Sequence, residues 1–81
     1  EPVFDGHFKI VQQQLVGDKH LKLVLSLKDS QQIIDAISFN VDLDVWPDES
    51  VLELEVAYRL EVNEFRGKRS VQLMVEYLRA L

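Results

Sequence analysis

Leu52-Glu53-Leu54-Glu55-Val56-Ala57-Tyr58-Arg59-Leu60-Glu61 decides how this chain is read. Leu52, Leu54, Val56, Tyr58 and Leu60 fall on one side of a period-two repeat, and Glu53, Glu55, Arg59 and Glu61 on the other. Such alternation marks a strand with one face buried and one face wet. Downstream, a polar turn from Asn63 to Lys68 leads into a second strand. There Val71, Leu73, Val75 and Tyr77 alternate with Ser70, Gln72 and Glu76.

Three more strands lie upstream. In the second strand Leu21, Leu23, Leu25 and Leu27 face inward, while His20, Lys22, Val24 and Ser26 face out. Gly17-Asp18 before it suits a two-residue type II′ turn. The first strand runs from about Val3 to Leu15, and Gln12-Gln13-Gln14 blurs its alternation, which points to a bulge or a sharp bend. After a polar loop from Lys28 to Gln32, Ile33 to Val41 forms a third strand with Ile37 and Phe39 toward the core. Asp42 to Ser50 breaks the pattern, and Pro47-Asp48-Glu49 is placed to open a single helical turn. The order predicts an all-β fold: a five-stranded, partly open antiparallel barrel of the OB-fold type, with at most one short helical turn near 46–50. An SH3-like barrel or a small sandwich also fits the pattern alone.

Composition narrows the function. Residues 1–81 amount to one domain, and the start on Glu1-Pro2-Val3 reads as an excerpt of a longer chain. With no Cys there is no disulfide framework and no Cys-based zinc site, which fits a cytoplasmic location. No apolar run reaches the roughly 20 residues of a membrane helix, so no membrane partner is expected. The net charge is −5 and unevenly spread. Residues 35–64 hold nine acids against one base, Arg59, whereas the rest of the chain holds five acids and eight bases. An acidic block of this kind is ordinarily a solvated face.

Catalysis has little to work with. His7 and His20 stand in or beside strands with no Ser or carboxylate arranged as a triad. Asp42 and Asp44 alternate on one side but lack further cation ligands. Three glycines form no phosphate-cradling loop. Neither catalytic nor metal-binding residues are assigned.

Asn63-Glu64-Phe65-Arg66-Gly67-Lys68-Arg69-Ser70 is different. Three cations occupy four positions beside an aromatic ring, with Gly67 supplying the positive φ of a tight turn. Arg66, Lys68 and Arg69 can reach phosphate oxygens, and Phe65 can stack on a base. Equally, Phe65 can plug the barrel end while the cations are ordinary turn residues. In an OB-fold this turn and the one near Gly17 flank the ligand face. Lys19, His20 and Lys22 would then form a second basic cluster, with Lys9 nearby.

The stretch Ala57-Tyr58-Arg59-Leu60-Glu61-Val62-Asn63-Glu64-Phe65-Arg66-Gly67-Lys68-Arg69-Ser70-Val71-Gln72-Leu73 resembles the OB domain of the RecJ family of single-strand-specific 5′-to-3′ DNA exonucleases. Leu15-Val16-Gly17-Asp18-Lys19-His20-Leu21-Lys22-Leu23 and Ile37-Ser38-Phe39-Asn40 are similar to earlier segments of that family. The resemblance implies an accessory domain that holds single-stranded DNA through Phe65, Arg66, Lys68 and Arg69. It implies an Asp-His-His catalytic core using manganese or magnesium in a separate region, with no cofactor in this fragment. Expected partners are single-stranded DNA, the parent chain's catalytic core and single-stranded-DNA-binding protein. The alternative is a structural module that docks on another domain or protein.

Overall fold

The computed structural model describes residues 2–27 and 29–81. Lys28, the first residue of the expected polar loop, and Glu1 lie outside the described residues. Five strands account for the architecture: β1 (Phe4–Val16), β2 (His20–Leu27), β3 (Ile33–Ser38), β4 (Glu53–Phe65) and β5 (Lys68–Ala80). They pair in the order β1-β2-β3-β5-β4, and β4 returns to β1, so the expected barrel closes fully. All seams are antiparallel except β3–β5, which is parallel because the β3–β4 link crosses the barrel end. This all-strand, five-stranded barrel is an OB fold.

The core comes from the inward phase of each strand. Phe8, Leu21, Leu23, Leu25, Ala36, Leu54, Val56 and Leu73 are buried. Tyr58 meets Phe8 edge-on, with ring centroids 5.8 Å apart. Burying a large aliphatic side chain contributes about 1.5–3 kcal/mol, so Leu21, Leu23 and Leu25 anchor the fold. Leu27, expected inward, is exposed at the end of β2, and Ser26, expected outward, is buried.

Two bulges set the phase. Ile10 pairs with Leu25 and Gln12 with Val24, leaving Val11 as the extra residue. The sequence placed this irregularity one residue later. Beyond the bulge Gln13 turns inward, and its amide clamps the β3–β4 link. Its Nε2 donates to the Asp48 carbonyl at 2.7 Å, and its Oε1 accepts from the Asp48 N–H at 2.8 Å. In β5, Ala57 faces Tyr77 while Tyr58 faces Val75, so Glu76 is the extra residue. The bulge turns Tyr77 outward and sends Leu78 against the core, reversing the expected face.

Other expectations are corrected. β3 ends at Ser38 rather than Val41, and it presents Ile34, Ala36 and Ser38 inward. Ile37 and Phe39, expected in the core, are on the other phase. A one-residue slip of register exchanges the faces of a strand. Leu52 lies before β4 and is exposed, and Leu60 and Val71 are exposed beyond the end of the barrel. The β1–β2 loop has three residues, because Val16 pairs with His20. Pro47-Asp48-Glu49 forms no helix. Instead the Val51 N–H donates to the Asp48 carbonyl, closing a turn whose Ser50 N–H and hydroxyl donate to Asp48 Oδ1. These two bonds hold the Asp48 carboxyl below its ordinary pKa, the hydroxyl contributing most. Trp46, only 7% exposed, pins the link to the core.

Candidate nucleic-acid interface

The β4–β5 hairpin projects past the barrel. β1 supports β4 only between Glu53 and Tyr58, and β3 supports β5 only between Gln72 and Met74. Residues 60–65 and 68–71 therefore form a two-stranded ribbon, and every residue from 60 to 71 is exposed. Phe65 pairs with Lys68, which leaves Arg66 and Gly67 as a two-residue turn with φ of 53° and 77°. Positive φ at both central positions is the type I′ geometry, matched to the twist of a hairpin. Gly takes it without strain, whereas Arg does so at a cost of roughly 1–2 kcal/mol.

Strand parity sorts the tip. Phe65, Lys68 and Ser70 stand on the outer side of the ribbon, and Glu64, Arg69, Val62 and Val71 on the inner side. Phe65 is 72% exposed, which rules out its use as a barrel plug. The Arg66 guanidinium carbon lies 5.2 Å from the Phe65 ring centroid, a cation–π pair. Arg69 Nε stands 3.8 Å from Glu64 Oε2, both well exposed, so solvent screens the pair and leaves Arg69 free to change partner.

The second expected cluster sits elsewhere. Along β3 from Ile33 to Ser38, β5 leads away from the hairpin tip and β2 leads toward Gly17. The two turns thus mark opposite ends of the β2–β3–β5 surface rather than one compact patch. At the Gly17 end the Lys19 carbonyl accepts from the Val41 N–H at 2.8 Å. His20 Nδ1 accepts from the Asn40 N–H at 3.2 Å, and its ring meets Phe39 edge-on at 5.0 Å. His20 is therefore tied into the fold. Lys22 points outward between Gln14 and Ile37, in a shallow depression it shares with Asp35. Lys9 lies in the barrel wall opposite Ser26 and Glu53, away from both turns.

Most of the acidic block stays solvated, and its one base, Arg59, is paired with Glu76 outside it. Arg79 pairs with Glu55 at 3.2 Å, and His7 with Glu53 at 2.8 Å. Asp42 Oδ1 accepts from the Asp44 N–H, an arrangement that closes a turn. Among the described residues no group of three or more His, Cys, Asp or Glu side chains is placed to hold a metal ion. No helix among them is long and apolar enough to cross a membrane. Sequence reasoning missed Phe39 and Tyr77 as surface residues, because their apolar character placed them in the core.

Residues 1–77 match the family described as the RecJ OB domain. The chain is 56% identical over 78 residues to the single-stranded-DNA-specific exonuclease RecJ of Dickeya dadantii (strain 3937), covering 96% of this chain and 14% of that protein. It is 49% identical over 76 residues to the protein of the same name from Escherichia coli (strain K12), covering 94% and 13%. The protein of that name from Haemophilus influenzae (strain ATCC 51907 / DSM 11121 / KW20 / Rd) is 48% identical over 80 residues, covering 96% and 14%. The chain thus spans about a seventh of the length of these relatives and corresponds to their OB domain, which lacks the catalytic core. A family match over nearly its whole length, carried on a closed five-stranded barrel, makes this chain a member of the RecJ OB domain family.

Proposed function

We propose that residues 1–81 are one domain of a longer cytoplasmic protein, and that this domain holds single-stranded DNA and steers it toward a catalytic core elsewhere in that protein. The observation that carries the reading is the hairpin tip. In a chain of net charge −5, three cations and a 72%-exposed Phe stand at the end of a ribbon projecting from the barrel. Arg66 occupies a backbone position that favours Asn or Gly, so the tip keeps a cation where the fold would be better served by another residue. Cationic side chains track the phosphates while an aromatic ring stacks a base, a combination suited to single strands of any sequence. The relatives' name, single-stranded-DNA-specific exonuclease, supports the choice of ligand. Hydrolysis belongs to the parent core, for which manganese or magnesium is the proposed cofactor.

Titration of the chain with a single-stranded oligonucleotide across a range of salt tests this. Three neutralised phosphates give a log K against log salt slope near −2, at about 0.7 per contact for single strands. Binding without salt dependence, or no binding at low salt, overturns it.

A second reading has its own observation. Leu60, Val62 and Val71 form an apolar stripe on the inner side of the ribbon, leading to a barrel mouth where Leu27 and Ile33 are exposed. A two-stranded ribbon is marginal by itself, so this side suits packing against another domain of the parent protein. Phosphate contacts at the tip are compatible with such packing.

A further inference from the structure

We propose that the cleft bounded by the end of β3, the β3–β4 link and the second half of β5 is a second contact for the strand, a base-stacking site with Phe39 and Tyr77 as its platforms. The proposal rests on the reading of this chain as a single-stranded DNA binder. The alternation assigns both rings to the core, Tyr77 within β5 and Phe39 just past the end of β3. The phase of β3 and the bulge at Glu76 bring them out instead, 50% and 57% exposed. They line one cleft of about 250 Å³, with the nearly buried Trp46 also in its wall. Single exposed apolar residues are normal, but two aromatic rings converging on one cleft at a sheet end are a stacking surface.

The surroundings fix the rings and orient the strand. His20 packs edge-on against Phe39 while its Nδ1 holds the Asn40 N–H, so Phe39 is positioned although half of it stays open. Asp42 and Glu76 lie on the rim, and Glu76 is paired with Arg59. A phosphate is therefore unwelcome inside the cleft. Lys22 stands on β2 opposite Ile37, two residues before Phe39, and Lys19 lies just beyond the start of β2. A backbone following β2 meets Lys22 and Lys19 there, with Asp35 beside Lys22, and directs its bases toward the rings. Exposed carboxylates are screened beyond about 8–10 Å at ordinary salt. Stacking one base on an aromatic ring changes affinity by about 5- to 100-fold. Stacking therefore outweighs the acidic rim so long as the phosphates keep to the β2 side. The hairpin tip and this cleft then hold one strand at the two ends of the β2–β3–β5 surface.

The test titrates the 81-residue chain with a mixed-sequence single-stranded 16-mer, reading anisotropy and the emission of Trp46, the chain's one tryptophan. Phe39→Ala and Tyr77→Ala should each weaken binding about 5- to 100-fold at fixed salt without altering the salt slope. Phe39→Tyr and Tyr77→Phe should bind within about 2-fold of the parent, and Trp46 emission should shift on binding. Circular dichroism identifies any variant that fails to fold, and the ring-conserving pair then decides. Full affinity in both alanine variants, with Arg66→Ala/Arg69→Ala weakened, removes the cleft and leaves the proposed function standing. Ring-conserving variants as weak as the alanine ones overturn it by assigning the residues a structural role. An unchanged Trp46 signal in a saturated complex also overturns it. Absence of salt-dependent binding by the parent chain removes both readings.

Discussion

The two long hairpins of this barrel, β1–β2 and β4–β5, are both cationic near their turns, yet they are built in opposite ways. The β1–β2 turn is stitched to the body: Val41 bonds to Lys19, Asn40 to His20, and Phe39 packs on the His20 ring. The β4–β5 tip rests on its own two strands and one cation–π pair. Cation count alone does not separate them. Attachment to the body does, because His20 commits its Nδ1 to the Asn40 N–H and its ring to Phe39.

The largest expected effect tests whether the two hairpins differ in stability. Leu21→Ala, beside the stitched turn and fully buried, should cost about 2–5 kcal/mol in urea denaturation. Val62→Ala in the ribbon should stay within about 0.5 kcal/mol. Equal costs would mean that the ribbon is packed in solution. Next, Arg66→Ala/Arg69→Ala should lower the salt slope by about 1.4, two contacts at about 0.7 each, with unfolding unchanged. An unaltered slope would take the phosphate contacts away from this tip. His20→Ala should do the reverse, costing about 1 kcal/mol of stability through the lost hydrogen bond and leaving the slope intact.

Smaller effects sharpen the same contrast. Arg66→Asn relieves the positive φ and should raise stability by up to about 1 kcal/mol while weakening oligonucleotide binding. A gain in both would show that Arg66 is not kept for its charge. The smallest effect is in the β3–β4 link. The lowered pKa of Asp48 means its hydrogen bonds contribute stability above about pH 4, and that contribution is lost as the pH falls further. Ser50→Ala removes the larger cause, so the Asp48 carboxyl resonances should titrate at higher pH, closer to the ordinary value.

Strand identity was legible because period-two alternation is a local property. Leu21 to Leu25 and Leu54 to Tyr58 carry it cleanly, and the basic tip with Gly67 marks a turn wherever it stands. From these, the number of strands, their order and the exposed cation cluster follow without coordinates. Phase was not legible in β3, where Ile33, Ile34, Ala36 and Ile37 place apolar residues on both sides. Pairing with β2 selected Ile34 and Ala36 for the core. In β5 the alternation looked unbroken, but one extra residue at Glu76 exchanged Tyr77 for Leu78. The β1 bulge blurred its own strand's alternation, whereas the β5 bulge arises from how β4 and β5 meet and leaves no mark in Val71 to Tyr77. That is why the hairpin tip could be named from the amino acids, whereas the cleft of Phe39 and Tyr77 exists only once the barrel has closed.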